Sequence, residues 1–456
     1  MRKYFGTDGI RGRANGEIMN VETALRLGRA VATMFSQPGH KARILVGKDT
    51  RLSGYMFEPA LVAGITSTGA DVIATGPLPT PGIAFLTTSM RCDAGIVISA
   101  SHNPFDDNGL KVFGRDGFKL PDAQEIELER MMDDPSLIRF AAGAALGRAR
   151  RIEDANGRYV THLKTLMPPH LNLEGVRVVV DCANGAAYKA APLLLTELGA
   201  HVISLSVAPD GVNINDHCGS MHPERLQAAV LANNAQIGIA LDGDADRVIL
   251  VDETGRVVDG DAVLALGAFA LSAAGRLRSQ TVVATVMSNI GLERALASRG
   301  IRLERTQVGD RYVVQRMLEG GFNFGGEQSG HLVFLDHATT GDGLVAALQV
   351  LAVMLAENRP LSELAAILVP APQKLRSLRV LARPALDDCP RVTAAVAAAT
   401  TRLGDEGRVL LRYSGTEPKI RIMIEGTDEA LIDVLMDTIQ SAIHDDIGLL
   451  DADANH

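Results

Sequence analysis

Three related α/β units with mostly parallel, mixed sheets, followed by a smaller C-terminal α+β domain, form the architecture this sequence predicts. Three observations carry that expectation: a glycine-rich composition poor in aromatics, a strand–helix–strand pattern that recurs three times, and a tail that breaks it. Of 456 residues 45 are glycine, only 4% are aromatic, and tryptophan is absent. That balance favours many tight strand-to-helix turns over a β-sandwich. A chain of this length allows about two to four domains.

Each repeat opens on a β-rich run that ends in a polar or glycine-containing turn. These are RILVGKDTRLSG (43–54), RVVVDCANGAA (177–187) and TVVATVMSNIGL (281–292). A segment rich in Ala and Leu follows each, closed by Gly69, Gly199 or Gly300, which can stop a helix. A second short strand comes next: ADVIATG, AHVISLS or IRLERT. A third apolar run then leads into a polar motif, in AGIVISASHNP (94–104), IGIALDGDADR (237–247) and GFNFGGEQSGH (321–331). Ligands of open α/β sheets gather beyond the carboxyl ends of strands, where all three motifs fall. From about residue 371, KLRSLRVLARP and GRVLLRYSGTEPKIRIMIEG supply strands and ALIDVLMDTIQSAIHD an amphipathic helix, predicting an antiparallel sheet with helices on one face. The expected domains are 1–153, 154–254, 255–370 and 371–456, arranged around a central cleft.

The 45 Lys+Arg and 54 Asp+Glu leave a net charge of -9. That excess argues against nucleic acid as the main partner. It does not exclude a small anion, because a few bases can dominate one cleft. Cys92, Cys182, Cys218 and Cys389 lie far apart and form no C-x-x-C pair, as in a reduced cytoplasmic protein. The basic N-terminus has no apolar run behind it, unlike a signal peptide. No stretch reaches the roughly 20 apolar residues of a membrane span.

Four motifs carry chemistry. In ISASHNPFDDNGLKVF (98–113), Ser101 stands at the mouth of a loop, beside His102 and ten residues before Lys111. Neighbours in sequence usually point apart and no G-x-S-x-G elbow is present, so a Ser-His triad is not indicated. In ALDGDADRVILVDETG (240–255), Asp242, Asp244 and Asp246 alternate; an extended loop would face all three towards one hard cation. Glu253 falls at the twelfth position of an EF-hand, but Arg247 occupies the glycine position and 248–251 reads as a strand, which excludes that motif. In FGGEQSGH (324–331), Gly325 and Gly326 would turn the backbone, while Glu327 and Ser329 suit sugar hydroxyls and His331 could move protons. In RYSGTEPKIR (412–421), Arg412, Ser414, Gly415, Thr416, Lys419 and Arg421 have the composition of a phosphate nest. Neither a Walker nor a dinucleotide fingerprint occurs in a strand–helix setting, which argues against ATP and NAD.

Taken in order along essentially the whole chain, these motifs resemble those of the α-D-phosphohexomutase superfamily: a phosphoserine loop, a metal loop, a sugar loop and a phosphate loop. The resemblance is strongest to the bacterial branch acting on glucosamine phosphates. It rests on YFGTDGIRG (4–12), ISASHNPFDDNGLK (98–111), NINDHCGSMHPE (213–224), TVMSNIGL (285–292), GGEQSGH (325–331) and TTGDG (339–343). Met221 stands where that branch more often has threonine. The resemblance implies a cytoplasmic isomerase interconverting glucosamine 6-phosphate and glucosamine 1-phosphate, with phosphomannomutase/phosphoglucomutase activity as the alternative. It implies that Ser101 bears the transferable phosphate and that Ser101, Asp242, Asp244 and Asp246 hold one Mg²⁺. Glucosamine or glucose 1,6-bisphosphate would be the intermediate or activator, in the supply of cell-wall precursors. Arg11, His102, Lys111 and His331 would serve catalysis. Glu327, Ser329 and the 412–421 loop would bind substrate. A phosphosugar partner, a homodimer, no nucleic acid and no membrane complete the expectation. Intact Ser101 and three intact aspartates weigh against a sugar-phosphate sensor without catalysis.

Overall fold

A computed structural model describes residues 3–414 and 418–450. Among these residues the chain forms four sheets, of six, five, four and three strands. In the first, Arg43–Lys48 lies between Asp71–Pro77 and Ala94–Ile98, parallel to both, and Asp107–Gly114 adds antiparallel to Ala94–Ile98. The second repeats this with Arg177–Asp181 between His201–Leu205 and Ile237–Leu241, then Val248–Asp252 antiparallel. The third repeats it again with Thr281–Thr285 between Arg302–Thr306 and Phe324–Gly326, then Leu332–Phe334. The internal repeat is therefore topological. Ile10–Arg13 and Ala149–Arg151 extend the first sheet and Val257–Val258 the second.

The reason lies in the apolar runs. Ala94–Ile98, Ile237–Leu241 and Thr281–Thr285 are buried at every residue, as strands covered on both faces must be. Each such Ile, Leu or Val contributes roughly 1.5–3 kcal/mol by leaving water. Helices Gly54–Ser67, Ala190–Glu197 and Ile290–Ala297 follow the first strands. The chain leaves them through Gly69, Gly199 and Gly300, all at positive φ, as the sequence predicts. In every repeat the polar motif spans the gap between the third strand and its antiparallel neighbour. All four cysteines are free and buried. Among the described residues, no helix is long and apolar enough to cross a membrane.

The chain divides into two compact units: 1–285 with 301–367, and 286–300 with 368–456. The second unit holds the antiparallel sheet of Gln373–Arg379, Lys419–Glu425 and Arg408–Tyr413. Ile420, Ile422 and Ile424 alternate onto one face and pack with Ile432, Leu435, Met436, Ile439 and Ile443 of the helix Glu429–Ile447. A second helix, Pro390–Leu403, joins that core through Val392, Ala399 and Leu403. It was not evident from its Ala/Thr-rich sequence. Ile290–Ala297 also belongs to this unit. Asn289 Oδ1 accepts from Gly291 N and Ala371 N, and Asn289 Nδ2 donates to Ala371 O at 3.0 Å. Ile290 N donates to Glu425 Oε2, and Arg408 donates to both Glu425 Oε2 and Ser288 O at 2.6 Å.

In the larger unit, one buried carboxyl links two helices. Asp342 Oδ1 caps Gly343–Glu357 by accepting from Leu344 N and Val345 N, and Asp342 Oδ2 accepts from Tyr159 OH at 2.7 Å. Burial pushes this carboxyl up to about 6, against the three hydrogen bonds that favour its charge. The folded state thus holds this proton more tightly than the unfolded chain. Its contribution is present below about pH 4 and is lost as pH rises through the folded value. Between pH 4 and 7 the wild type should lose on the order of 3 kcal/mol from this group. Asp342→Asn, which can keep all three hydrogen bonds, should show a shallower decline. Urea unfolding of both proteins across that range measures the difference; parallel pH profiles would refute it.

Candidate active site

The motif loops of the first three sheets meet within the larger unit. Ser101 is buried, holds φ at 53°, and donates from Oγ to Asp242 Oδ2 at 2.5 Å. Its Oγ also lies 3.4 Å from His102 Nδ1. Burial, then Arg247 and Arg11, lower the His102 imidazole to about 4, so it is neutral at pH 7. Asp242, Asp244 and Asp246 bring one carboxylate oxygen each within 4.8 Å of one another. An extended loop was expected to align them. Instead a tight turn does so, with Ala245 N bonded to Asp242 O and Ala245 at φ 58°.

Gly243 shows how closely the first two loops approach. A Cβ there would stand 2.6 Å from Ser101 O and 2.9 Å from Asn215 Nδ2, so only glycine fits between them. Thr80 adds a further link, donating from Oγ1 to Asp244 Oδ2 at 2.7 Å and from its backbone N to Asp244 O.

Basic groups surround the acids. Lys111, buried on Asp107–Gly114, places Nζ 2.9 Å from Asp244 Oδ2, 3.3 Å from Asp8 Oδ2 and 3.5 Å from Asp246 Oδ2. Burial opposes its charge, but Asp244, Asp8 and Asp246 outweigh burial and raise the Lys111 pKa. Asp8 also pairs with Arg11 and Lys119, and Lys119 pairs with Asp310. His331 is buried, with Nδ1 3.6 Å from Asp246 Oδ1 and Nε2 3.4 Å from Asp310 Oδ2. Burial alone would lower its pKa; Asp246 and Asp310 reverse that. Four cations (Arg11, Lys111, Lys119, Arg247) thus face five carboxylates (Asp8, Asp242, Asp244, Asp246, Asp310).

The aspartate cluster fits a hard divalent cation. Burial, then Asp246 and Asp244, raise the Asp242 carboxyl well above its usual range, while Lys111 and His331 hold Asp246 well below it against burial. Asp244 Oδ1 and Asp246 Oδ1 are buried and accept no hydrogen bond. Buried carboxylate oxygens without donors, close to a third carboxylate, are suited to metal ligation. The rival EF-hand reading is excluded: Val248–Asp252 is a strand, and Glu253 accepts from Ser362 N and Oγ.

The sugar-loop candidates lie nearby. Glu327 Oε1 accepts from Gly309 N at 3.0 Å, and Ser329 Oγ donates to Glu327 Oε2 at 3.3 Å. Gly325 and Gly326 do not form the turn. They lie in the strand Phe324–Gly326, where a Cβ would press on Val283 O or His331 O at 2.5 Å, and the turn falls at Gly330. An isolated bridge, Arg247↔His331, joins this loop to the aspartate loop.

In the smaller unit, Arg412 and Arg421 sit directly opposite one another on adjacent strands. Burial, then Arg421, lower the Arg412 pKa. Like charges so placed are unfavourable unless an anion is held between them. Ser414 is buried, and its N donates to Lys419 O at 2.8 Å. Gly415 and Thr416 lie outside the described residues.

Sequence reasoning missed Asp8, Lys119, Asp310, Arg247 and Thr80. Asp8 was within reach, three residues before Arg11 in the same motif. Asp310 begins the helix after the second strand of the third repeat, again at a carboxyl end. Lys119 carries no local signal.

Comparison with known proteins follows the same order. Descriptions of phosphoglucomutase/phosphomannomutase alpha/beta/alpha domains I, II and III match residues 2–138, 157–255 and 259–371, and that of the C-terminal domain matches 364–442. A phosphoglucosamine mutase from Anaeromyxobacter sp. (strain Fw109-5) is 56% identical over 452 residues, 98% of this chain and 96% of its own length. One from Myxococcus xanthus is 57% identical over 430 residues, 94% of each chain. Among solved structures, a phosphoglucomutase/phosphomannomutase family protein from Burkholderia thailandensis superposes with a TM-score of 0.81 at 26% identity, covering 98% of this chain and 100% of its own. With all four domain types present in order, the chain belongs to the phosphoglucomutase/phosphomannomutase family.

Proposed function

We propose that this protein is an isomerase that interconverts glucosamine 6-phosphate and glucosamine 1-phosphate through a phosphorylated Ser101, on the route to amino-sugar precursors of the cell wall. One observation carries the reading: a buried serine hydroxyl bonded to Asp242 at 2.5 Å, within a carboxylate cluster ringed by cations. Relatives at 53–57% identity bearing the phosphoglucosamine mutase name support the choice of sugar.

In the forward direction the P–O bond to Ser101 Oγ breaks as the free hydroxyl of the sugar phosphate bonds to phosphorus, and the proton that hydroxyl gives up ends on Ser101 Oγ. The product is glucosamine 1,6-bisphosphate. After turning over, this intermediate returns its other phosphoryl group to Ser101, and the leaving sugar oxygen regains a proton. Phosphoryl transfer depends on alignment and neutralisation of charge. Lys111 and Arg11 are held cationic by Asp8, Asp244 and Asp246 and supply fixed positive charge without reorganisation. Glu327 and Ser329 take sugar hydroxyls, Arg412, Ser414, Gly415, Thr416 and Arg421 the non-reacting phosphate, and His102 and His331 flank the transfer path. Asp242, Asp244, Asp246 and a phosphoserine oxygen would hold one Mg²⁺, which supplies Lewis-acid charge withdrawal when bound.

The proposal includes domain limits near residues 153, 254 and 370, a cytoplasmic location, a homodimer, activation by hexose 1,6-bisphosphate, and no nucleic-acid or membrane partner. Incubation with Mg²⁺, catalytic bisphosphate and each hexose phosphate tests the activity. Fast conversion of glucosamine 6-phosphate is expected. Turnover of mannose or glucose phosphates alone would assign the protein to phosphomannomutase/phosphoglucomutase chemistry, and net release of inorganic phosphate to a phosphatase.

A further inference from the structure

The φ of 53° at Ser101 disfavours any residue with a Cβ, so surrounding contacts must impose it. They come from a side chain outside the motif. Arg51 follows the strand Arg43–Lys48 and is among the largest fully buried side chains of the protein. A guanidinium has five N–H donors. In Arg51 all five are used. Nη2 donates to Ser101 O at 2.9 Å and Asn103 O at 2.8 Å, and Nη1 to Asp107 O at 3.0 Å and to Pro104 O. Nε donates to Asp49 Oδ2 at 2.8 Å. Four carbonyls of one loop converge on a single cation.

Asp49 completes the frame. Its Oδ2 accepts from Ser99 Oγ at 2.6 Å, and Ser99 Oγ accepts from Ser101 N at 2.9 Å. Both polar groups of the Ser101 backbone are therefore fixed, N through Ser99 and O through Arg51. The second repeat adds Asn215, from the NINDHCG segment. Its Nδ2 donates to the same two carbonyls, Ser101 O at 2.9 Å and Asn103 O at 3.0 Å. Asn215 is itself left-handed at φ 59°, with its N bonded to Ala183 O. The residue that closes over this joint is Gly243, inside the aspartate motif.

We propose that Arg51 and Asn215 are positioning residues that lock the backbone of Ser101 in its left-handed conformation and align its hydroxyl with the aspartate loop. The inference rests on Ser101 being the phosphoryl carrier. Neither residue touches the reacting atoms; both act through the carbonyl oxygens of Ser101 and Asn103, and Arg51 also through those of Pro104 and Asp107. Losing either lets the 101–104 peptides turn and displaces Oγ from Asp242. Misplacement of a reacting group by about 1 Å can cost about 100-fold in rate. Substrate affinity, set elsewhere, should be preserved.

Asn215→Ala and Arg51→Lys test this, read by steady-state kinetics and by single-turnover phosphorylation of Ser101 from glucose 1,6-bisphosphate, followed by intact-protein mass. Asn215→Ala should lower kcat and the phosphorylation rate about 10-fold, and Arg51→Lys about 100-fold, both with KM unchanged. Arg51→Ala strands Asp49 without its counter-charge, so folding is checked by circular dichroism. Where it folds, added guanidinium should restore turnover and methylammonium should not. Wild-type rates in folded Asn215→Ala and Arg51→Lys, or a rise in KM alone, would overturn the proposal. Wild-type protein that phosphorylates Ser101 yet ignores glucosamine phosphates would overturn the substrate assignment instead. No phosphate on wild-type Ser101 would remove the basis of both.

Discussion

Ser101→Ala should fold normally, carry no phosphate after incubation with hexose bisphosphate, and lose at least about 10⁴-fold in turnover, as enzymes do when the nucleophile itself is removed. Folding should survive because the conformation of residue 101 is imposed through its backbone, which alanine keeps. What disappears is one oxygen. Ser99, two residues away, cannot replace it: its hydroxyl is buried and committed to Asp49 at 2.6 Å while accepting from Ser101 N. Intact-protein mass spectrometry reads the outcome directly. Phosphate retained by the variant would place the carrier elsewhere.

The second large effect has opposite signs in two measurements. Asp242→Asn should lower kcat about 10³-fold, because a ligand and a fixed charge are lost beside the transferring phosphoryl. With metal chelated, the same variant should melt a few degrees higher than wild type. Burial, then Asp246 and Asp244, raise the Asp242 carboxyl, so the folded state binds its proton more tightly than the unfolded chain. Stability from this group is present below about pH 4, the ordinary carboxylate value, and falls as pH rises. Asparagine removes that cost at neutral pH. It also keeps the contacts: Oδ1 can still accept from Arg247 N, and the amide can donate to Ser101 Oγ. Added Mg²⁺ should reverse the ranking, since a ligand that binds only the folded state stabilises it by RT ln(1 + [L]/Kd) and three carboxylates should bind the cation more tightly than two. Melting curves with chelator and with Mg²⁺ test both halves. A chelated variant less stable than wild type would refute the repulsion argument.

Features expressed as local patterns were legible in the sequence. The three apolar runs with polar motifs at their ends gave the repeated sheet order, because a buried parallel strand must be apolar throughout and its loop need not be. Asp242, Asp244 and Asp246 were found by spacing, although the backbone assembles them by a turn instead of an extended loop. Gly325 and Gly326 were misread because glycine serves two purposes. Here it permits close strand packing rather than a sharp turn. Pairings across long separations left no trace. Lys119 meets Asp310 191 residues away and Asn215 reaches Ser101 across 114, and no periodicity encodes such distances. Arg51 was hidden for another reason: a cation in a turn reads as solvent-exposed until the fold buries it.

The membership of Ile290–Ala297 in the C-terminal unit bears on synthesis. During translation this helix emerges long before Glu425, to which Ile290 N is bonded across 135 residues. The third repeat must therefore leave the ribosome with its first helix undocked, its Asn289 side chain and Ile290 N awaiting Ala371 and Glu425, which are not yet made. Pairing over so long a separation is slow and leaves apolar surface uncovered meanwhile. A gene cut at residue 367 would make that wait permanent. The C-terminal domain, contiguous by family description, is in physical terms a composite whose first piece is translated about seventy residues ahead of the rest.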